Sequence, residues 1–365
     1  MSCAVRPPSR FTARQLGLAA AVVTVVVWTA FILVARASAA RSLAPLDIAF
    51  LRICGAGLVL VPWGAWQVAR ARQEAAAAGG PGIARPDSIL GLSPLGLRLT
   101  MTTGLLGGLM YALLAYSGFF YAPAAHASVL LPGSLPLWTS LLAVVVLGER
   151  ITRFRALGLL LIVAGDLLVG GRSLLQAFAG GQVWKGDLFF MAAAFCWASY
   201  SVLARRHALD AVRATIAITV FAFVAYLPAY TVLAATGLVA SRLAIAPVGE
   251  IVFQMLFQGV GSVVISGIAF TQMIRYFGPV RSTMITALVP GLSAVGAVLL
   301  LGEPLYWNLV VGLLLVTAGI LFGIRRSTVP VMPEPAMPAP VAMPVNATPT
   351  TATATATATV RGCHG

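Results

Sequence analysis

Long apolar runs alternate along this chain with short segments rich in Arg, Gly and Pro. A bilayer core about 30 Å thick takes roughly 20 apolar residues per helical crossing. On that measure the runs predict ten transmembrane helices, at 15–35, 46–69, 96–120, 124–147, 154–172, 185–204, 214–236, 250–271, 281–301 and 305–324. The third and fourth are separated only by Ala122, Pro123 and Ala124. The break is placed there because an unbroken run from 99 to 147 is too long for one crossing.

Composition agrees with a membrane chain. Of 365 residues, 59% are hydrophobic and 9% charged, too few charges to cover a soluble surface. The net charge of +14 is carried by arginines that stand singly or in small groups between the apolar runs. That distribution is a topology signal rather than a phosphate-binding stripe, so nucleic acid is not an expected partner. With the N-terminus in the cytoplasm and ten alternating spans, inner segments hold 17 Lys and Arg against five outside, leaving aside Arg52 and Arg361. Both termini are therefore expected inside. Ala37-Ser38-Ala39 resembles a signal-peptidase site, but the preceding run is long for a cleaved signal and has a counterpart later in the chain, so the first helix is read as retained.

That counterpart belongs to an internal repeat. Gly158-Leu-Leu-Leu-Ile-Val-Ala-Gly165 recurs as Gly312-Leu-Leu-Leu-Val-Thr-Ala-Gly319, 154 residues on. The same offset pairs Leu147-Gly148-Glu149 with Leu301-Gly302-Glu303, Pro136 with Pro290, Ser128 with Ser282 and Gly107 with Gly261. Trp28 and Ala35-Arg36 match Trp197 and Ala204-Arg205 at an offset of 169. The 15-residue difference falls in the polar loop 70–95, where added length is tolerated best. Because each unit has five spans, the second must enter the membrane from the opposite side. The expected fold is thus all-α and polytopic, two inverted five-helix repeats, an arrangement found in secondary transporters with a site near the midplane.

Residues 115–165 and 282–319, with their Gly-Glu doublets each followed by a Gly-rich helix, resemble the two halves of an EamA-domain transporter of the drug/metabolite transporter superfamily. The resemblance covers 15–324. It implies a cytoplasmic N-terminus at 1–14, a first unit at 15–172, an external linker at 173–184 and a second unit at 185–324. It also implies a central cavity and secondary transport of a small metabolite, amino-acid-like or drug-like, with export favoured. A proton or cation would drive it. Arg52 has no equivalent in the second half, where the residues around Phe221 are apolar.

The expected partners are a small-molecule substrate, the lipid bilayer and that coupling ion. No cofactor, metal or enzymatic activity is expected. The four cysteines show no CxxC spacing, there is no cluster of His, Asp or Cys at a membrane face, and no Walker motif is present. A receptor or assembly factor without transport activity is the alternative reading, and it leaves the inverted repeat unexplained.

Candidate substrate contacts are the intramembrane polar and aromatic residues. Arg52 is either a functional charge or an arginine that snorkels or meets Asp47. Trp28, Tyr111, Trp197 and Tyr200 lie in spans one, three and six, the first three placed deeper, as cavity wall or core, and Gln258 adds hydrogen-bonding capacity in span eight. Pro132, Pro136 and Pro290 interrupt spans four and nine as hinges. Ser134, Ser282 and Thr286 beside them are read as cavity-lining or as close packing. His126 is either a proton-sensing group or an interfacial turn residue, the latter favoured. Asp166 is expected to pair with Arg172, with a proton relay as the alternative. Glu149 and Glu303 are given a structural role, serving the N-terminus of the next helix. The tail from 325 to 365, rich in Pro, Ala and Thr, is expected to be disordered.

Overall fold

The computed structural model describes residues 13–39, 41–77, 88–177, 181–286, 288–302 and 306–324, and all regular structure among them is helical. Glu303 and the 325–365 tail lie outside the described residues. In chain order the helices are α1 (Ala13–Ala39), α2 (Pro45–Ala77), α3 (Leu97–Tyr121), α4 (Ala124–Gly133), α5 (Leu135–Leu147) and α6 (Arg153–Ala177). They continue as α7 (Val183–Arg206), α8 (Ala211–Ala235), α9 (Val248–Phe277), α10 (Pro279–Ile285), α11 (Leu288–Leu301) and α12 (Trp307–Ile324).

Among the described residues eight helices, counting α4–α5 and α10–α11 each as one crossing, are long and apolar enough to span a membrane. Helices α6 and α12, at the expected fifth and tenth spans, fall outside that set. The apolar character extends to the outer faces. Leu18, Val22, Val26, Leu58, Val145 and Leu299 are exposed, as helices surrounded by hydrocarbon require.

Chain chemistry sets where helices stop. Gly148 and Gly302 are left-handed, with φ of 68° and 66°, and end α5 and α11. The Gly148 and Glu149 amides can then reach back to the carbonyls of Val144 and Ala143. Asp210 caps α8, its Oδ1 accepting from the Val212 and Arg213 amides at 3.1 and 3.0 Å. Helix α3 ends at Tyr121 and α4 begins at Ala124, on either side of Ala122 and Pro123. Helix α2 runs to Ala77, so Arg70 and Arg72 stand on a helical extension rather than in a loop.

Two irregularities escape any reading of the sequence. Within α3, Leu105–Met110 is a π-helix; within α9, Met255–Ile265 is another. Each π segment packs on the other half's second helix, which glycines allow to come close. A Cβ at Gly55 of α2 would stand 2.2 Å from the Met255 carbonyl oxygen, and one at Gly108 would stand 2.9 Å from the Ile218 side chain of α8.

The principal packing pairs are α6 with α12, α2 with α8, α2 with α9, α3 with α8, α3 with α7, α1 with α9, α5 with α7 and α1 with α11. The α6–α12 seam is another close backbone approach. A Cβ on Gly165 would meet the Gly312 carbonyl oxygen at 2.6 Å, and one on Gly319 would meet that of Gly158 at 2.5 Å. These four glycines bound the repeated Gly-to-Gly segments, so the recurrence marks the places where two backbones touch.

Candidate functional site

The interior contact between the halves is built around Arg52. It sits on the third turn of α2, is 7% exposed, and donates from Nη1 to Ser262 Oγ of the α9 π segment at 2.9 Å. Its guanidinium lies 5.5 Å from the centre of the Phe31 ring, and its charge reaches the phenols of Tyr111 and Tyr116. Asp47, the partner considered from sequence, is occupied elsewhere. Among the described residues no carboxylate lies within salt-bridge range of Arg52.

Two cavities share Arg52, Trp197 and Ser262 as walls. One reaches between α2, α3, α8 and α9, past Tyr200, Gly107 and Thr219. The other reaches between α1, α3 and the α4–α5 break, past Trp28, Tyr111 and Pro132. An aromatic cluster lies between them. Trp197 has its ring centre 5.7 Å from Trp28, 4.8 Å from Tyr111, 5.3 Å from Tyr200 and 5.5 Å from Phe270. Such contacts hold rings in fixed orientations.

Hydrogen bonds within and across the halves fix the walls. Trp28 Nε1 donates to Ser266 Oγ at 3.3 Å, and Ser266 Oγ donates to the Ser262 carbonyl oxygen at 2.5 Å. Tyr116 donates to Gln258 Oε1 at 3.1 Å, and Tyr200 shares a hydrogen with Thr271 at 2.8 Å. Among the described residues Trp197 Nε1, Thr219 Oγ1 and Gln258 Nε2 of this site are buried without a hydrogen-bond partner.

Of the residues singled out from sequence, Trp28, Arg52, Tyr111, Trp197 and Tyr200 line the cavities, and Gln258 stands behind them through Tyr116. Of the hinges, Pro132 does too. The chain breaks at Ser134, between Pro132 and Pro136, and after Thr286, just before Pro290. Ser134 and Thr286, at these breaks, turn to their own helices rather than toward the cavities. Ser134 Oγ donates to the Leu130 carbonyl at 2.6 Å and Thr286 Oγ1 to that of Thr283 at 2.8 Å, while Ser282 Oγ is buried without a partner. Ser262, Phe31, Phe270 and Thr219 belong to the site and are not marked by anything in the sequence, because the π segment and the inter-helix contacts bring them there.

The remaining candidates lie elsewhere. His126, on the first turn of α4, pairs through Nδ1 with Asp187 of α7 at 2.9 Å. Glu149 pairs with buried Arg155 Nη1, on the first turn of α6, at 3.1 Å, while Thr152 Oγ1 accepts the Arg155 amide. Asp166 is buried beside Gly133 and Val316, with no hydrogen-bond partner among the described residues on either carboxylate oxygen; the Arg172 side chain lies outside the described residues.

One further polar cluster joins the halves, around Asp47 on the first turn of α2. Its Oδ1 accepts from the Tyr230 hydroxyl and, at 2.9 Å, from Ser241 Oγ. Its Oδ2 accepts from the amides of Ala44 and Arg242 at 2.9 and 3.0 Å. Ser42 donates to Glu250 at 2.6 Å and Gln254 to Ser38 at 2.6 Å. The α1–α2 turn is thereby tied to α8, α9 and the segment between them.

Comparison with known proteins places this geometry among relatives. The profile of the EamA-like transporter family matches residues 15–171 and again 184–325. The chain is 25% identical over 219 residues, 60% of its length and 70% of the relative's, to a Bacillus subtilis (strain 168) protein named uncharacterized transporter YyaM. A crystal structure described only as that of a protein superposes with a TM-score of 0.54 at 21% identity, covering 87% of this chain and 97% of the other, a likeness of fold.

Proposed function

Because the chain belongs to the EamA-like transporter family, we propose that it is a secondary active transporter, carrying a small metabolite through the Arg52 cavities by alternating access. The observation that carries this reading is a buried, charged and aromatic site walled jointly by helices of both halves. A multi-pass membrane protein whose site lies at such a seam changes the site's access when the halves move relative to one another.

In this proposal ten spans form two inverted five-helix units, 15–172 and 185–324, in the cytoplasmic membrane with both termini inside. The packing pairs support it. Exchanging α1 through α6 with α7 through α12 in order turns α1–α9 into α7–α3, α2–α9 into α8–α3 and α1–α11 into α7–α5, and leaves α2–α8 and α6–α12 unchanged. The paired π segments and the repeated glycine seam obey the same exchange. The excess of Lys and Arg in the inner segments supports the orientation.

The Asp47 cluster then belongs to the outer end and is read as the closed outer gate. Outward opening requires its hydrogen bonds to break, while Glu149–Arg155 holds the inner α5–α6 turn. Export is the favoured direction, and a proton or cation gradient the drive. The test is the extracellular metabolite profile of cells overproducing the chain, against vector and a Trp28→Ala/Trp197→Ala variant. One chemical class accumulating outside only with the intact chain supports export; identical profiles, with no uptake of the same compounds, would count against transport.

A further inference from the structure

We propose that the Arg52 site takes a small monocarboxylate with a flat apolar body, the carboxylate on Arg52 and the body against the cavity-facing side of the aromatic cluster. This rests on the transport reading only for its consequence, since the site is argued from its own chemistry.

The argument begins with the cation. An arginine buried in a membrane interior is costly unless paired, and a guanidinium carries five N–H donors in a planar fork. Here one of them is used toward Ser262 and the Tyr116 hydroxyl lies within reach of the fork, and no carboxylate of the described chain answers the charge. Phe31 supplies only a ring face. The fork therefore retains donors for a ligand at the point where both cavities meet.

The second observation is independent of the charge. Trp197 Nε1 and Thr219 Oγ1 are buried without partners among the described residues, and both residues line the same cavity as Arg52; Trp197 is 8% and Thr219 3% exposed. Gln258 Nε2, just behind, is unpartnered too, its oxygen being taken by Tyr116. An indole nitrogen and an amide nitrogen only donate, and a hydroxyl can donate. The unsatisfied capacity of the site is thus a surplus of donors around a cation. The complementary ligand group is an acceptor-only anion, and an ionised carboxylate accepts bidentately from arginine. A phosphate dianion fits less well, because among the described residues neither cavity has a second Lys or Arg in its lining. The rings of Trp28, Tyr111 and Trp197, spaced 4.8–5.7 Å apart by centroid, offer the ligand's remainder flat apolar faces.

The test uses the full chain in nanodiscs and three probes sharing one body, 3-phenylpropionate, 3-phenylpropanamide and 3-phenylpropylamine, with inorganic phosphate as an anion without the body. Binding is read by calorimetry. The acid is expected to bind about ten- to a hundred-fold more tightly than the amide, the range of a charge-assisted bond against a neutral one. The amine and phosphate are expected to bind more weakly still. Arg52→Gln should collapse the acid/amide ratio toward one, and Arg52→Lys should retain part of it, having lost the fork but not the charge. If Arg52→Gln does not fold, Trp197→Phe and Thr219→Val carry the test, each keeping the shape of its wall and lowering acid affinity several-fold with little effect on the amide. Equal binding of acid, amide and amine, or an acid/amide ratio unchanged in these variants, overturns the proposal. Proteoliposome flux separates it from the reading of function. Acid bound with the expected ratio yet never moved leaves the site standing and counts against transport; amine moved without any acid binding does the reverse.

Discussion

Replacing Asp47 by alanine is expected to loosen one end of the bundle, by an amount that can be worked from its bonds. Asp47 is fully buried and accepts four hydrogen bonds, two from hydroxyls and two from backbone amides. The hydroxyls of Tyr230 and Ser241 can turn to other acceptors or water. The amides of Ala44 and Arg242 cannot turn, and in Asp47→Ala each loses its acceptor, at about 1–3 kcal/mol apiece. The expected loss is therefore about 2–6 kcal/mol, at least a thirty-fold rise in the open population at roughly 1.4 kcal/mol per tenfold. Asp47→Asn is the informative companion. Its amide oxygen can face the two N–H groups while its NH2 faces the two hydroxyls, so only the charge is lost and the rise should stay under about ten-fold. Amide hydrogen exchange in nanodiscs reads the opening over peptides covering 42–48 and 237–246. Asp210→Ala is the control, because Asp210 caps only its own helix and should release Val212 and Arg213 without touching those peptides. If Asp47→Ala leaves exchange over 237–246 within about three-fold of the parent chain, the segment is held by its own turns and the gate reading fails.

Gly165→Ala or Gly319→Ala should force the α6–α12 seam apart by nearly 1 Å, since a Cβ at 2.5–2.6 Å from a carbonyl oxygen must retreat to ordinary contact and backbone cannot swing aside. Each should lower thermal stability by about 1–3 kcal/mol, whereas Gly291→Ala, with open space around it, should be neutral or stabilising; equal melting temperatures for all three would refute this. Glu149→Ala strands the buried Arg155 cation and is expected to cut stability by about 1–3 kcal/mol, below the range for a fully buried pair because Glu149 is partly exposed, with the transported class unchanged. A shift in substrate profile would move Glu149 into the site. For His126 and Asp187, a double-mutant cycle with His126→Gln and Asp187→Asn should give a coupling of about 0.5 kcal/mol or more in thermal unfolding, and simple additivity would mean the contact contributes nothing.

Much of the fold was legible in the residues, for reasons that differ by element. The break at Ala122–Pro123 and the kinks beside Pro132, Pro136 and Pro290 could be read because proline acts locally, removing a donor and blocking its own turn. The length of α2 beyond residue 69 was not, because Arg70, Arg72 and Glu74 extend a helix as well as they end a hydrophobic run, and Arg70 pairs with Glu74 one turn on. Of the site, Trp28, Arg52, Tyr111, Trp197 and Tyr200 stood out as costly or bulky groups within apolar runs. Ser134 and Thr286 stood out for the same polar character, yet their hydroxyls are used up on carbonyls one turn back, a choice no spacing reveals.

The sequence by itself determined what depends on composition and order. It set a chain too apolar and too sparsely charged for water, the places where proline and glycine end helices, the repeated Gly-to-Gly segments, and the excess of Lys and Arg at one set of turns. Each is local, or a count, and survives without coordinates. Only the tertiary structure decided which polar groups meet. Asp47 lies five residues before Arg52 in the same helix, yet it closes on Tyr230 and Arg242 and leaves Arg52 to Ser262, 210 positions away. The π segment that presents Ser262 and the glycines that admit α2 beside it are properties of two helices in contact, and such contact is set by packing between distant parts of the chain rather than by any stretch of it.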